Sequence, residues 1–281
     1  MSKLRKVTLK RALEKAPFVI VAGVILFLFF SAAFPEVVAR YPHAEQHPED
    51  ALQPPSAKYW LGTDQFGRDI YSRLIHGTRV VILVGLGSVA LAVLIGIPLG
   101  LLAGYYGGLL DAAIMRIQDA ILSFPVVLLA LLIIATFGAS TLNVILSIAF
   151  VYVPRFARLV RGSVMALKDR EYVLATRVAG ADDGRLLFLA ILPNAMGPIV
   201  VQATLGVAVA ILIEAGLSYL GLGIQPPTPS WGNMLQHAKN YISNAPWYVL
   251  SPGVMIFLAV LMFNLAGDWL REAIDPRLRT L

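Results

Sequence analysis

Residues 80–110 read VVILVGLGSVALAVLIGIPLGLLAGYYGGLL, with no Asp, Glu, Lys or Arg between Arg79 and Asp111. A helix rises 1.5 Å per residue, so about 20 apolar residues cross the roughly 30 Å of bilayer hydrocarbon. The run does not alternate apolar and polar residues. In lipid, only helices and closed barrels satisfy the backbone, so this run is a membrane-spanning helix, set here at Val80–Ala103. Outward from it the pattern recurs. An apolar run covers Phe18–Phe34, and Ala120–Pro154 is again free of charge but too long for one crossing. Gly138-Ala139-Ser140 marks a turn inside it, giving a third span that ends near Phe137 and a fourth that starts near Leu142. A fifth covers Met196–Leu222 and a sixth Val249–Gly267. The expected fold is an all-α integral membrane protein of about six transmembrane helices.

Composition agrees. The 281 residues are 58% hydrophobic and 14% charged, with mean hydropathy +0.73. A soluble domain of this size carries roughly 25% charge, because water must wet its surface. The net charge of +6 does not point to nucleic acid: the basic residues lie between apolar runs instead of forming a patch with exposed aromatics. The absence of cysteine excludes disulfides, thiolate metal sites and cysteine nucleophiles. The basic start MSKLRKVTLKRALEK and the small residues Ser31–Ala33 fit a cleaved signal peptide. The apolar run is longer than a signal core and further spans follow, so an uncleaved first span is the preferred reading.

Lys and Arg orient the spans. Six basic residues, Lys3, Arg5, Lys6, Lys10, Arg11 and Lys15, precede the first span. Arg155, Arg158, Arg161, Lys168, Arg170, Arg177 and Arg185 fall between the fourth and fifth spans, and Arg271, Arg277 and Arg279 follow the sixth. With an even number of spans these regions share one side, so the N- and C-termini are expected in the cytoplasm. The other side carries residues 35–79, rich in acids and prolines and read as an irregular crossing loop. It also carries residues 223–248, where a short interfacial helix is expected and Trp231, Tyr241, Trp247 and Tyr248 suit the lipid boundary. No internal repeat or inverted pair of broken helices is visible.

Residues 161–193 are too long and too polar for a turn between spans. Val164–Ala179 reads as a helix with Val164, Leu167, Leu174, Ala175 and Val178 on one side. Gly180 can end it in the left-handed conformation, Asp182 and Asp183 can start a second short helix, and Pro193 separates that helix from the fifth span. An amphipathic hairpin lying on lipid headgroups and a helix offered to a partner's groove both fit these residues.

The hairpin resembles the cytoplasmic coupling loop of permease subunits in binding-protein-dependent ABC importers. That pattern is Glu-Ala-Ala, three residues, Gly, nine residues, Ile, any residue, Leu-Pro. The aligned positions here are Leu174, Ala175, Thr176, Gly180, Ala190, Leu192 and Pro193. Leu174, Thr176 and Ala190 depart from the general pattern, while Glu171 supplies an acid just ahead of it. LGTDQFGRDIYSRLIHGTR, GLLAGYYGG, DAAIMRIQD, ARLVRG, EYVLATRVAGA, GLSYLGLGIQPPTPSWG and NLAGDWLREAIDPRLR are similar to the dipeptide/oligopeptide/nickel branch, and within it to the C-type permease. The resemblance implies a type I importer (MetI-like) fold, with residues 1–17 a basic tail, 18–79 the first span and outer segment, and 80–281 the core carrying the coupling loop 161–193. It implies a non-catalytic subunit forming half of a pathway for di- or oligopeptides, with nickel or another small solute as the alternative. The implied partners are a second, B-type permease, two cytoplasmic ATPases that hold the ATP and Mg, and an external binding protein. No cofactor is expected on this chain, which has no GxxxxGK[ST] phosphate loop.

Charges near the spans need reasons, since each costs roughly 2.5–3.5 kcal/mol at a helix centre. Glu214 lies deepest and is read as a structural carboxylate or a pathway or gate residue; in a proton-coupled secondary transporter, a rival reading, it would be the proton site. Arg116 and Asp119 are one turn apart and expected to pair near Asp111, and Asp268 is expected to anchor beside Arg271. His43, His47, His76 and His237 lack helical ligand spacing, so no protein-borne metal is expected. No Ser/His or Asp/Asp set supports an enzyme. The glycines of residues 80–110 are read as close helix packing.

Overall fold

The computed structural model describes residues 2–274, with side chains described from Phe18 onward. The basic side chains Lys3 to Lys15, and Arg277 and Arg279, lie outside that description. The elements are α1 (Ser2–Ala33), the short α2 (Pro35–Val38), α3 (Ile70–Tyr106), α4 (Gly108–Leu122), α5 (Val126–Phe137), α6 (Thr141–Leu167), α7 (Glu171–Val178), α8 (Asp183–Arg185), α9 (Leu192–Tyr219), α10 (Trp231–Ala238) and α11 (Pro246–Ile274). Four helical runs are long and apolar enough to cross a membrane alone: α3, α6, Asp183–Tyr219 and α11. The pair α4 and α5 makes a fifth, and Phe18–Ala33 of α1 is a shorter apolar stretch. These segments coincide with the six runs read from the sequence, but two are built differently.

The third span is not straight. Its halves α4 and α5 meet at 88° around Ser123-Phe124-Pro125. Proline has no N–H and disfavours helical geometry in the residue before it, so the helix stops there. The fifth span starts earlier than expected. Pro193 does not divide a short helix from it; Leu186–Ile191 form a π turn that joins α8 to α9. The widened turn leads into Leu192-Pro193 at the head of α9, where a residue without an N–H costs no intrahelical bond.

The glycines of the opening stretch pack α3 against α6. A Cβ on Gly96 would lie 2.6 Å from Phe156 Cβ, one on Gly100 2.6 Å from both the Ala157 carbonyl and Val160 Cβ, and one on Gly104 2.8 Å from Val164 Cβ. Only hydrogen fits at these three turns, so the backbones meet directly. The main core then joins Val84, Val89 and Ala92 of α3 to Ile148, Tyr152 and Phe156 of α6, and to Val207 and Ile211 of α9. Val21 and Leu28 bury one face of α1, and Phe18 stacks on Trp269 of α11 with ring centroids 5.4 Å apart.

At the end where α3 begins, the outer segment forms an ordered cap. The fully buried Asp64 carboxylate accepts the backbone N–H groups of Phe66 (2.8 Å) and Arg68 (3.0 Å) and pairs with Arg68 Nε at 2.6 Å. Asp69 caps α3 by accepting from the Ser72 N–H at 2.8 Å. Trp231 and Tyr248 are buried, contrary to the lipid-boundary expectation. Trp231 Nε1 donates to the Leu74 carbonyl at 2.9 Å and Tyr248 donates to Gln65 Oε1 at 2.6 Å, so both rings fasten α10 and α11 to the start of α3 and the cap.

The charged groups of α4 also differ from expectation. Arg161 forks onto Asp111 (2.5 and 2.6 Å), and Asp119 pairs with Arg158 at 2.5 Å instead of with Arg116. Both pairs staple α4 to α6, because the fourth span continues as helix through Arg155, Arg158 and Arg161 to Leu167. Among the described residues no ion pair joins Asp268 to Arg271.

Candidate functional site: the hairpin between α6 and α9

The helix expected over Val164–Ala179 is broken. α6 ends at Leu167, a turn over Lys168–Arg170 follows, and Arg170 takes an extended conformation (φ −72°, ψ 146°) before α7 starts at Glu171. The break resets the helical phase. Val173 therefore turns inward and is fully buried with Val164, Leu186 and Ile191, while Leu174 and Val178 turn outward, at 41% and 89% exposure. The apolar face drawn from an unbroken helix put Leu174 and Val178 on the wrong side.

Gly180 ends α7 with φ +88°, and its N–H donates to the Arg177 carbonyl at 2.9 Å while the Ala181 N–H reaches the Thr176 carbonyl at 3.3 Å. This is the left-handed helix stop expected of a glycine. Asp182 precedes α8, but no side-chain cap bond forms there; Asp183 instead accepts from the Tyr105 hydroxyl at 2.5 Å. Arg177 Nη2 donates to the same hydroxyl at 3.2 Å, and Lys168 Nζ donates to the Gly104 carbonyl at 3.2 Å. Tyr105, Lys168 and Asp183 thus tie the hairpin to the last turn of α3. Sequence reasoning missed these ties, and Val173 with them, because each depends on a helix remote in the chain.

Of the motif positions, Glu171, Leu174, Ala175 and Gly180 are exposed on α7 and its stop, and Thr176 is half-buried with its hydroxyl donating to the Tyr172 carbonyl at 2.7 Å. Ala190 is buried, Leu192 half-buried and Pro193 exposed, all at the π turn. The hairpin therefore presents Tyr172, Leu174 and Val178 outward from a base rooted in α3, α6 and α9. Apolar groups exposed together on a short helix, rimmed by Glu171 and Arg177, suit either a partner's groove or a lipid surface.

Glu214 stands apart from the hairpin. It is fully buried in α9, where Oε1 accepts from Ser218 Oγ at 2.7 Å, and Ser218 Oγ in turn accepts the Ile224 N–H at 3.3 Å. The carboxylate faces its own helix and the following loop and does not line the large cavity among α3–α6. His43 and His76 stack with centroids 4.7 Å apart; among the described residues no three His, Asp or Glu side chains form a group able to hold a metal.

Comparison with known proteins gives this arrangement a family. The model for the binding-protein-dependent transport system inner membrane component matches residues 96–280, which take in α3 from Gly96, the hairpin and α11. The dipeptide transport system permease protein DppC of Alkalihalophilus pseudofirmus is 46% identical over 96% of this chain and 89% of its own length. The di/tripeptide permease DppC of Pseudomonas aeruginosa is 48% identical over 91% and 86%, and the glutathione permease GsiD of Pectobacterium atrosepticum 43% over 93% and 87%. The fold is similar to the MetNI methionine ABC transporter in inward-facing conformations, with TM-score 0.60 at 19% identity over 72% of this chain and 96% of that one. With its apolar helices and its hairpin accounted for, the chain belongs to the family of binding-protein-dependent transport system inner membrane components, the multi-pass permeases of ABC transporters.

Proposed function

We propose that this chain is one of two permease subunits of an ATP-driven importer for di- or tripeptides, and that α7 is its joint to a cytoplasmic ATPase. The observation that carries the reading is the outward face of α7, with Leu174 and Val178, on a hairpin whose base is continuous with α9 and bonded to α3. A push on α7 reaches Asp183–Tyr219 through the packing of Val173 against Leu186 and Ile191, and the π turn then joins α8 to α9 without a loop. In this reading the basic residues of the hairpin support a cytoplasmic location for that end by the positive-inside rule, with the Ser2 end of α1 and the Ile274 end of α11 on the same side. The cap of residues 39–69 then faces outward, where an external binding protein delivers the substrate.

The chain performs no catalysis in this reading. ATP and Mg sit on two ATPase subunits, and a second, B-type permease completes the pathway. ATP drives transport only if the inward- and outward-open states differ in their contacts with the ATPases. Glu171, Leu174, Ala175, Thr176 and Gly180 form that contact, with Leu192 and Pro193 at its base. Glu214 serves as a structural carboxylate bonded to Ser218. The names of the relatives supply the peptide class, glutathione being itself a tripeptide; nickel or another small solute is the alternative. Deletion in a host that needs a dipeptide for an essential amino acid is the test. Growth should be lost on the dipeptide and kept on the free amino acid. Unchanged growth on the dipeptide overturns the peptide assignment.

A further inference from the structure

We propose that Arg155 binds the C-terminal carboxylate of the peptide as it passes the middle of the membrane, with Tyr152 holding the guanidinium in place. This rests on the peptide reading above. Arg155 is exposed on α6, and among the described residues no carboxylate pairs with it, whereas Arg158 and Arg161 on the same helix are bonded to Asp119 and Asp111. Its guanidinium turns back by one helical turn instead. Nη1 donates to the Tyr152 hydroxyl at 3.2 Å, and Cζ lies 4.7 Å from the centre of that ring.

The Tyr152 ring fixes the depth of that charge. It is buried beside Gly206, where a Cβ would lie 3.6 Å from Tyr152 Cε1. Gly206 stands at the middle of α9, about 20 Å from either end at roughly 1.5 Å per residue. Half of the hydrocarbon layer is only about 15 Å thick, so the guanidinium sits well inside it. Snorkelling would carry it towards the nearer end of α6, past Arg158 and Arg161, but it points the other way. An exposed charge without a counter-ion at that depth is disfavoured against lipid and marks a substrate path. Gln202, one turn from Gly206 on the same side of α9, is half-buried, and among the described residues its amide makes no hydrogen bond. The face is therefore polar on both helices. A guanidinium there selects an anion that it can bond with two parallel N–H groups. Every unmodified peptide carries such a group at its C-terminus whatever its side chains, so one fixed arginine serves a whole class of peptides.

The test uses the complete transporter in vesicles, with saturating binding protein, and measures uptake of dialanine and of its C-terminal amide. The wild type should import dialanine faster than the amide. Arg155→Gln should lower dialanine uptake about tenfold, as loss of one charge-assisted hydrogen bond implies, and change the amide little, so the ratio of the two falls towards one. Arg155→Lys, which keeps the charge without the planar fork, should recover part of the dialanine uptake. A ratio that Arg155→Gln leaves unchanged overturns the proposal, whether both rates fall or neither does. Loss of the second permease on co-purification of Arg155→Gln also overturns it, because an acid of that subunit would then be the partner of Arg155. A wild-type transporter that imports neither compound fails the peptide reading itself; one that imports dialanine with an unchanged ratio fails this proposal alone.

Discussion

Substitutions at Gly180 separate backbone geometry from bulk. The residue has φ +88°, and a Cβ built there meets nothing within 4 Å, so the strain of an L-residue is purely conformational. That strain is roughly 1–2 kcal/mol for Ala and less for Asn, which visits the left-handed region more readily. Opposing it are the burial of Val173, worth about 1.5–3 kcal/mol, and the bonds of Tyr105 to Asp183 and Arg177, each about 0.5–1.5 kcal/mol. The anchors exceed the strain, so the hairpin stays docked and the effect falls on the angle of α7. Gly180→Asn should therefore retain more ATP-coupled uptake than Gly180→Ala despite its larger side chain. Gly180→Arg should lose the most, since it adds a long charged chain beside the outward face. In all three, membrane insertion and pairing with the second permease should persist, while the ATPase subunits co-purify less well in the order Asn, Ala, Arg. The assay is uptake and ATP hydrolysis in reconstituted vesicles, with co-purification of each partner. Near-normal coupled transport by Gly180→Arg, or a ranking that follows side-chain size alone, would refute the reasoning.

Three further outcomes follow from the same geometry. Gly100→Ala should destabilise the detergent-solubilised protein by about 1–3 kcal/mol in thermal or denaturant melts, since its Cβ would sit 2.6 Å from the Ala157 carbonyl. Gly87→Ala, whose Cβ would meet Ile145 Cδ1 at an ordinary 3.5 Å, should leave the melt unchanged; equal effects would contradict the packing account. The chain has no cysteine, so Ser56→Cys and Ser243→Cys should react with an impermeant thiol reagent from outside intact cells and Ala179→Cys should not. Reaction at Ala179 from outside inverts the topology. In the cap, burial first, then Arg73 and Arg68, push the His43 imidazole below its ordinary 6.5; burial, Arg68 and Arg73 lower His237, against a weaker pull from Asp64. The unfolded cap then binds protons more readily, so its stability is full above pH 6.5 and declines as pH falls through the folded values. Hydrogen exchange over residues 43–69 should speed up from pH 7.5 to 5.5 after correction for intrinsic rates, and less so in His43→Gln/His237→Gln; faster opening at the higher pH would reverse the sign.

The spans were legible because lipid leaves one strong signal, long runs without charge, and Gly138 and Ser140 marked the turn between α5 and α6 unaided. The left-handed stop at Gly180 was equally local. What escaped was phase and partnership. A turn over Lys168–Arg170 reset α7, so the inward residue is Val173 and the outward ones are Leu174 and Val178. Asp119 chose Arg158 on another helix over Arg116 one turn away on its own. Trp231 and Tyr248 read as boundary aromatics until the Leu74 carbonyl and Gln65 appeared beside them. The first error is a local break in the helix, and the others involve contacts between residues distant in the chain, which periodicity does not encode. The bend at Pro125 was not anticipated from the sequence, and Pro193 sits within a helix it was expected to interrupt.

Glu214 offers the sharpest view of the energy source, because a buried carboxylate with a purely structural role beside Ser218 and Ser230 tolerates a neutral amide, whereas a proton carrier does not. The most direct test of the central claim is dipeptide uptake into vesicles containing this chain, the second permease, the two ATPases and the binding protein, measured with wild-type and Glu214→Gln chains. The account predicts uptake that requires ATP and every partner, is indifferent to a proton gradient, and survives Glu214→Gln. Gradient-driven uptake by the isolated chain, abolished by Glu214→Gln, would contradict it.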